Sequence, residues 1–508
     1  MTTHLSALDA TFLELEEADE SAHMHIGGIM VFDPPPGLGP PTSEELHELL
    51  SNRLLALPRY SQRLSPPHTG GLSWPQWRDD PDFDLSRHVT RAAITAPGGQ
   101  AELSQWSSAF FSQRLDRNRP LWEMAIVEGL ADGRWALAHK THHCLVDGVG
   151  SVDVATVLLD PEPGAWPAGP SGAGSDRRTQ APLRDRASGI PTHDDPLTAL
   201  AHRVENLVGV DTVVQAARYG AHGLVHPGEA LGEARSAIEL IVREELRGAP
   251  HTSLNEAIGT RRRFEVARVP LADLKSIKTA LGGTVNDVVL TITASGLRAL
   301  LESRGEPLPE QGLRAMVPMD VRQPSEHLAL GNRISSLFIE LPVANRDLIA
   351  RYRETVARSQ SLKVAGQAQG TAAVLKLAGL APPVLHAALA RGLYATRLFN
   401  LTITNVPGIQ HTLYAFGAPM REVHPLVPLA AEHAIGVAAL SYDGNVFFGV
   451  VADPDRVPDL DVFTDAMNRS VDELLAAART HGSPPAGDAS GASRARRRRT
   501  VRKAGRLS

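Results

Sequence analysis

Cysteine is nearly missing from this chain: Cys144 is the single one in 508 residues. An internal disulfide framework is thereby excluded. No run of eighteen uninterrupted apolar residues occurs, so no helix is expected to span a membrane. The N-terminal stretch has no long apolar run either and carries Glu14, Glu16, Glu17 and Asp19. A secretory signal is therefore not expected, and cytoplasmic residence is. Two catalytic signatures are also absent. Without GxSxG, a serine hydrolase built on a nucleophile elbow is disfavoured. Without HExxH or a Cys-rich ligand set, neither a metal site nor a resident cofactor is expected. The formal net charge is only −6, and eight Lys and Arg residues lie between Arg494 and Arg506 with no acid beside them, leaving −14 for the remainder. A mildly acidic body of this kind does not suit a nucleic-acid binder, whereas the basic tail suits an anionic surface.

Length and composition favour a large globular protein, with 43% apolar residues in a chain longer than one typical domain. Pro34-Pro35-Pro36-Gly37 forms a rigid turn before a helix. There Thr42 and Glu45 make a capping box, and Leu46, Leu49, Leu50 and Leu54 form the buried face. Residues 161–195 are rich in Pro, Gly, Ser, Asp and Arg, too polar to bury a core, and read as a crossover between two halves. The expected division is 1–160, a linker over 161–195, a second half over 196–481 and a basic tail over 482–508. In the second half Leu337, Ile339 and Leu341 alternate as in a strand. Ala434 to Ser441 and Val446 to Val451 flank Asp443-Gly444 as a β-hairpin. Residues 371–399 are helical in pattern and unusually apolar, suited either to an interface or acyl tunnel or to a plain buried hairpin.

The most informative stretch is His142-His143-Cys144-Leu145-Val146-Asp147-Gly148, which reads HHxxxDG after the strand-like run Arg134 to Thr141. An alcohol attacks a thioester carbonyl efficiently only if its proton is removed as it does so. Imidazole, with a pKa of about 6.5, is suited to that near neutrality. Successive side chains on a strand face opposite ways, so His142 and His143 cannot both aim at one reacting atom. His143 is taken as the base. Asp147 and Gly148 mark a turn before a helix starting near Gly150, Asp by local hydrogen bonds and Gly by close backbone approach.

With that motif the chain resembles the bacterial wax ester synthase/acyl-CoA:diacylglycerol acyltransferases. The resemblance extends to Leu5 to Ala10, Met24 to Gly28, Asp82 to Leu85 and Leu115 to Glu123. It continues through Leu254 to Gly259, Asn286-Asp287, Pro318 to Arg322, Gly331 to Ser335 and Thr404 to Gly408, covering nearly all of residues 4–480. One departure is Glu256-Ala257 after Asn255. The resemblance implies an α/β fold of two similar CoA-dependent-acyltransferase-like halves with the active-site tunnel between them. It further implies that His143 is the base, acting by direct transfer without an acyl-enzyme, and that His142 and Asp147 are structural. Asn286 and Asp287 match an Asn-Asp motif, and Pro120-Leu121-Trp122 a Pro-Leu-Trp motif.

Local chemistry supplies a second role for several of these. Thr284 is a natural N-cap with Asp287 in the first helical turn, which accounts for Asp287 without catalysis. Val288, Val289, Ile292 and Leu300 then form an apolar stripe. Trp122 suits packing, and Arg322 suits a carboxylate or a CoA phosphate. The expected activity is O-acyl transfer from acyl-CoA to diacylglycerol or a long-chain alcohol, with the enzyme resting peripherally on a membrane or lipid droplet. Three alternatives stand beside it. One is a glycerolipid acyltransferase using His142 and Asp147 as HxxxxD. The second takes the acyl group from a carrier-protein thioester, and the third is a lipid-droplet protein that kept the fold without catalysis.

Overall fold

The computed structural model describes residues 3–65, 75–146, 154–164, 248–320, 334–364 and 398–482. Asp147, Gly148, Gly150, Arg322, most of the 161–195 linker, nearly all of the apolar segment over 371–399 and the tail after Gly482 lie outside them.

Along the first half run β1 (Thr3–His4), α1 (Ala7–Ala18), β2 (His25–Phe32), α2 (Ser43–Arg53), β3 (Gln62–Leu64), β4 (Gln76–Asp79), β5 (Val89–Ala93), α3 (Gln100–Ser112), β6 (Trp122–Glu128) and β7 (Trp135–His142). The second half runs β8 (Arg263–Pro270), α4 (Leu271–Leu281), α5 (Val285–Ser303), β9 (Leu313–Asp320), β10 (Ile334–Leu341), α6 (Leu348–Val364), β11 (Leu401–Val406), β12 (Tyr414–Ala415), β13 (Ala418–Leu426), β14 (Ile435–Tyr442), β15 (Asn445–Ala452) and α7 (Leu460–Gly482).

Two six-stranded sheets dominate. One has the order β12-β13-β2-β7-β6-β5 and the other β10-β9-β11-β14-β15-β8, while β1, β4 and β3 make a small third sheet. The first sheet therefore does not end where the first half of the sequence ends. Strand β13 crosses back to pair antiparallel with β2, from Met420 opposite Phe32 to Leu426 opposite Gly27. The same strand also lies against β15, where a Cβ on Gly449 would fall 1.7 Å from the Pro425 carbonyl oxygen. Only glycine permits that approach.

Local sequence explains the elements that carry the site. In α2, Thr42 Oγ1 accepts from the Glu45 amide at 3.2 Å and Glu45 accepts from the Thr42 amide at 2.7 Å, the expected capping box. Leu46 and Leu50 are buried beneath it. Strand β7 is buried on both faces, with Trp135 and Leu137 in one core and Ala136 and Ala138 in the other. That is the pattern of a central strand rather than an edge. The β14–β15 hairpin closes at Asp443 and Gly444, with φ of 43° and 77°. Both residues sit in the left-handed region, where an Asp-Gly pair is favourable. Helix α5 has Val288, Val289, Ile292 and Leu300 fully buried.

Candidate active site

Strand β7 ends at the histidine pair, and the backbone there is pinned on both sides. The His142 amide donates to the Leu121 carbonyl at 2.9 Å, and the His143 amide to the Met24 carbonyl at 2.8 Å. Alternation along the strand then sends the two imidazoles apart, as the sequence predicts. His142 is fully buried and turned toward α1. His143 is half-buried and lines a cavity of about 410 Å³ between the two large sheets. That volume is in the range of small-molecule sites.

The cavity wall is mostly apolar and draws on both halves. Ile26, Met30 and Ala155 face it from the first, and Leu290, Val317 and Leu440 from the second. A few polar groups interrupt it, among them His139, Asn286, Asn405 and Ser441. Asn405 Nδ2 donates to Asn286 Oδ1 at 3.2 Å, joining the start of α5 to the end of β11. Burial depresses the pKa of the His139 imidazole to about 4.

Helix α1 holds the histidine pair from one side through two residues a turn apart. Phe12 stacks on the His143 ring, with centroids 4.0 Å apart and planes 9° from parallel. Glu16 approaches His142 Nε2 with Oε2 and His25 Nε2 with Oε1, each at 3.5 Å, electrostatic contacts that fall short of hydrogen-bond geometry, and His25 Nε2 accepts from the Leu115 amide at 3.4 Å. Burial alone would raise the Glu16 carboxyl, but the imidazoles of His142 and His25 outweigh it and hold the group well below the usual carboxylate range. Burial lowers His25 to about 4 against the pull of Glu16. His23 falls to about 3 through burial, assisted by the charges of Arg262 and His25.

The other residues singled out in sequence fall in different places. Pro120, Leu121 and Trp122 are buried and stand outside the cavity lining. Leu121 offers its carbonyl to His142, whereas the Trp122 indole donates to the Tyr60 carbonyl at 2.7 Å and stacks on His88 at 4.7 Å. Their link to the site is thus through packing and one backbone bond. Asn286 faces the cavity, but the Asp287 carboxylate accepts from the Thr284 amide and hydroxyl, both at 2.8 Å, closing a capping box. Cys144 is fully buried outside the lining, and burial raises its thiol well above the ordinary value. A neutral thiol there is no nucleophile for the cavity. Among the described residues no group of His, Cys, Asp and Glu is arranged to hold a metal ion.

Sequence reasoning missed Glu16, Phe12, His25, His139 and Asn405 as parts of the site. Glu16 and Phe12 share one face of α1 at i, i+4 spacing, a signal visible only once the helix is assigned. His25 and Asn405 stood inside stretches read only as part of a broader resemblance.

A histidine thus faces an apolar cavity between two α/β halves, and comparison with known proteins gives the class, that of acyltransferases. Residues 5–289 match the wax ester synthase/diacylglycerol acyltransferase catalytic domain and residues 330–475 the C-terminal domain of the same family. A protein named a probable diacylglycerol O-acyltransferase of Mycobacterium tuberculosis is 31% identical over 475 residues, covering 93% of this chain and 96% of its own. The solved wax ester synthase/diacylglycerol acyltransferase from Marinobacter aquaeolei is 26% identical with a TM-score of 0.64, covering 94% of this chain and all of that one. The starter condensation domain of rhizomide synthetase, solved with C8-CoA, shares the fold at 15% identity and a TM-score of 0.55, covering 94% of this chain and 95% of that one. The chain belongs to the wax ester synthase/diacylglycerol acyltransferase family and is an acyltransferase.

Proposed function

We propose that this enzyme transfers a fatty acyl group from acyl-CoA to the hydroxyl of diacylglycerol or a long-chain alcohol, with His143 as general base. The observation that carries this is the divergence of the pair, with His143 on an apolar cavity and His142 turned away into the core. In this reading the acyl chain occupies the apolar cavity and the acceptor hydroxyl meets the His143 imidazole. The imidazole takes the hydroxyl proton as the oxygen attacks the thioester carbonyl. The tetrahedral intermediate then collapses, the carbon–sulfur bond breaks, and the proton passes to the departing CoA thiolate. Asn286, its Oδ1 occupied by Asn405, keeps its NH2 to donate to a carbonyl oxygen in the cavity. Transfer is direct, since the one cysteine is buried, neutral and away from the wall.

Both the acceptor and the product are insoluble in water, so the enzyme works at a lipid surface. Among the described residues no helix is long and apolar enough to cross a membrane. Peripheral attachment through the eight basic residues of the 482–508 tail is the proposed alternative, at about 1 kcal/mol per basic residue near an anionic leaflet. The test is incubation of the purified protein with labelled palmitoyl-CoA and a panel of diacylglycerol and long-chain alcohols, alongside His143→Ala. General-base loss costs about a hundredfold to ten-thousandfold in rate. Equal ester formation by His143→Ala and the parent would remove the mechanism, and no ester with any acceptor would remove the function.

A further inference from the structure

We infer that Glu16 is a positioning residue for the base, acting through His142. The inference rests on the reading of His143 above and extends it to a carboxylate that nothing in the HHxxxDG motif contains.

The chain of contacts begins at the backbone. The Cys144 amide, immediately after His143, donates to His142 Nδ1 at 3.1 Å. A nitrogen that accepts cannot carry a proton, so a neutral His142 must carry its hydrogen on Nε2. That nitrogen is fully buried without a hydrogen-bond partner among the described residues, and the Glu16 carboxylate faces it at 3.5 Å, an electrostatic contact that favours N–H over a lone pair there. Glu16 therefore favours the one tautomer that lets Nδ1 receive the Cys144 amide. With the opposite tautomer, Nδ1–H would face the Cys144 N–H, donor against donor, and the turn carrying His143 would lose a bond. Orientation of an imidazole by a carboxylate on its far nitrogen is a common way to fix ring position and tautomer. Here the oriented ring is not the base; it braces the backbone from which the base projects.

Other groups around Glu16 keep it in place and ionised. The Arg114 guanidinium lies 3.5 Å from Oε2 and donates to the Glu16 carbonyl at 3.2 Å. The same helix stacks Phe12 on His143, so α1 constrains the base directly through one side chain and indirectly through the other.

The test uses the full-length protein and a substitution cycle. Glu16→Gln keeps shape but presents an amide that can donate as well as accept, so the tautomer preference is lost. The expected result is a kcat lower by about tenfold or more, with KM for palmitoyl-CoA and the melting temperature nearly unchanged. His142→Asn places an amide oxygen where Nδ1 stood, an acceptor that has no tautomers to choose between. In that background Glu16→Gln should cost less than about twofold, because coupled residues are not additive. Full activity of Glu16→Gln, a loss confined to KM, or losses that multiply in the double variant would overturn the inference. Should Glu16→Gln fail to fold, 15N spectra of the histidine-labelled parent decide, with the His142 signals assigned by their disappearance in His142→Asn. An Nε2–H tautomer at neutral pH is expected; Nδ1–H or a doubly protonated ring would refute it. Failure of the underlying base reading shows separately, as ester formation that survives in His143→Ala.

Discussion

The stack between Phe12 and His143 gives a prediction that separates stability from rate. Phe12 is 7% exposed and belongs to a small apolar cluster with Leu15, Ala22 and Met24. Truncation to alanine would remove a ring from that cluster and cost roughly 3 kcal/mol of stability, at the lower end for buried Phe→Ala changes because the cluster is small. That variant would confuse unfolding with misalignment. Phe12→Leu retains most of the apolar area but not the flat face 4.0 Å from the imidazole. Its stability cost should be about 1 kcal/mol, as for other shape changes of similar size. A stacked pair contributes about 0.5–1.5 kcal/mol beyond area burial. If that energy holds the imidazole at the angle needed for proton transfer, its loss lowers kcat by about two- to tenfold. The assay is steady-state esterification with labelled palmitoyl-CoA and a dispersed alcohol, run beside urea unfolding to fix the stability change. An unchanged kcat in Phe12→Leu, or a loss carried wholly by KM, would refute the idea that the stack aligns the base.

Three further outcomes are expected. Cys144→Ser should remain active, and rapid quench with acyl-CoA alone should leave the protein mass unchanged; a shift of one acyl chain on Cys144 would overturn direct transfer. His23, His25 and His139 titrate near 3, 4 and 4 when folded but near 6.5 when unfolded. Below pH 6.5 the unfolded chain therefore binds more protons, and stability is lost as the pH is lowered, by at most about 1.4 kcal/mol per unit for each group. His139→Leu should reduce that slope between pH 6 and 5, read from urea midpoints, and an unaltered slope would contradict the placement of His139. Gly27→Ala puts a methyl carbon 2.0 Å from the His139 carbonyl oxygen. The strand must shift, at a cost on the order of 3 kcal/mol. A melting temperature equal to the parent's would show that β2 and β7 are not so closely apposed.

Much of this was legible in the chain itself. Wherever the determinant was local, sequence sufficed: Thr42 with Glu45 and Thr284 with Asp287 form capping boxes because cap and partner are three residues apart. Asp443-Gly444 makes a tight turn because those two residue types tolerate the left-handed region. The divergence of His142 and His143 followed from strand geometry alone.

What the tertiary structure decided depends on residues far apart in sequence. The acids near the start read as a polar N-terminus, yet Glu16 is buried against His142, 126 positions away, because α1 docks across the end of β7. The 161–195 linker suggested two halves divided in sequence, but β13 returns from the second half to complete the first sheet, a pairing set by backbone hydrogen bonds that carry no residue code. Trp122, read in sequence as a packing residue, finds its partner in His88, far from it in sequence and outside the cavity wall. Sequence by itself determined the chemistry available to this protein, since the imidazole pair and its spacing are covalent facts. Only the fold decided which imidazole lines the cavity and which is buried beside α1, because burial and long-range contact are properties of the packed chain.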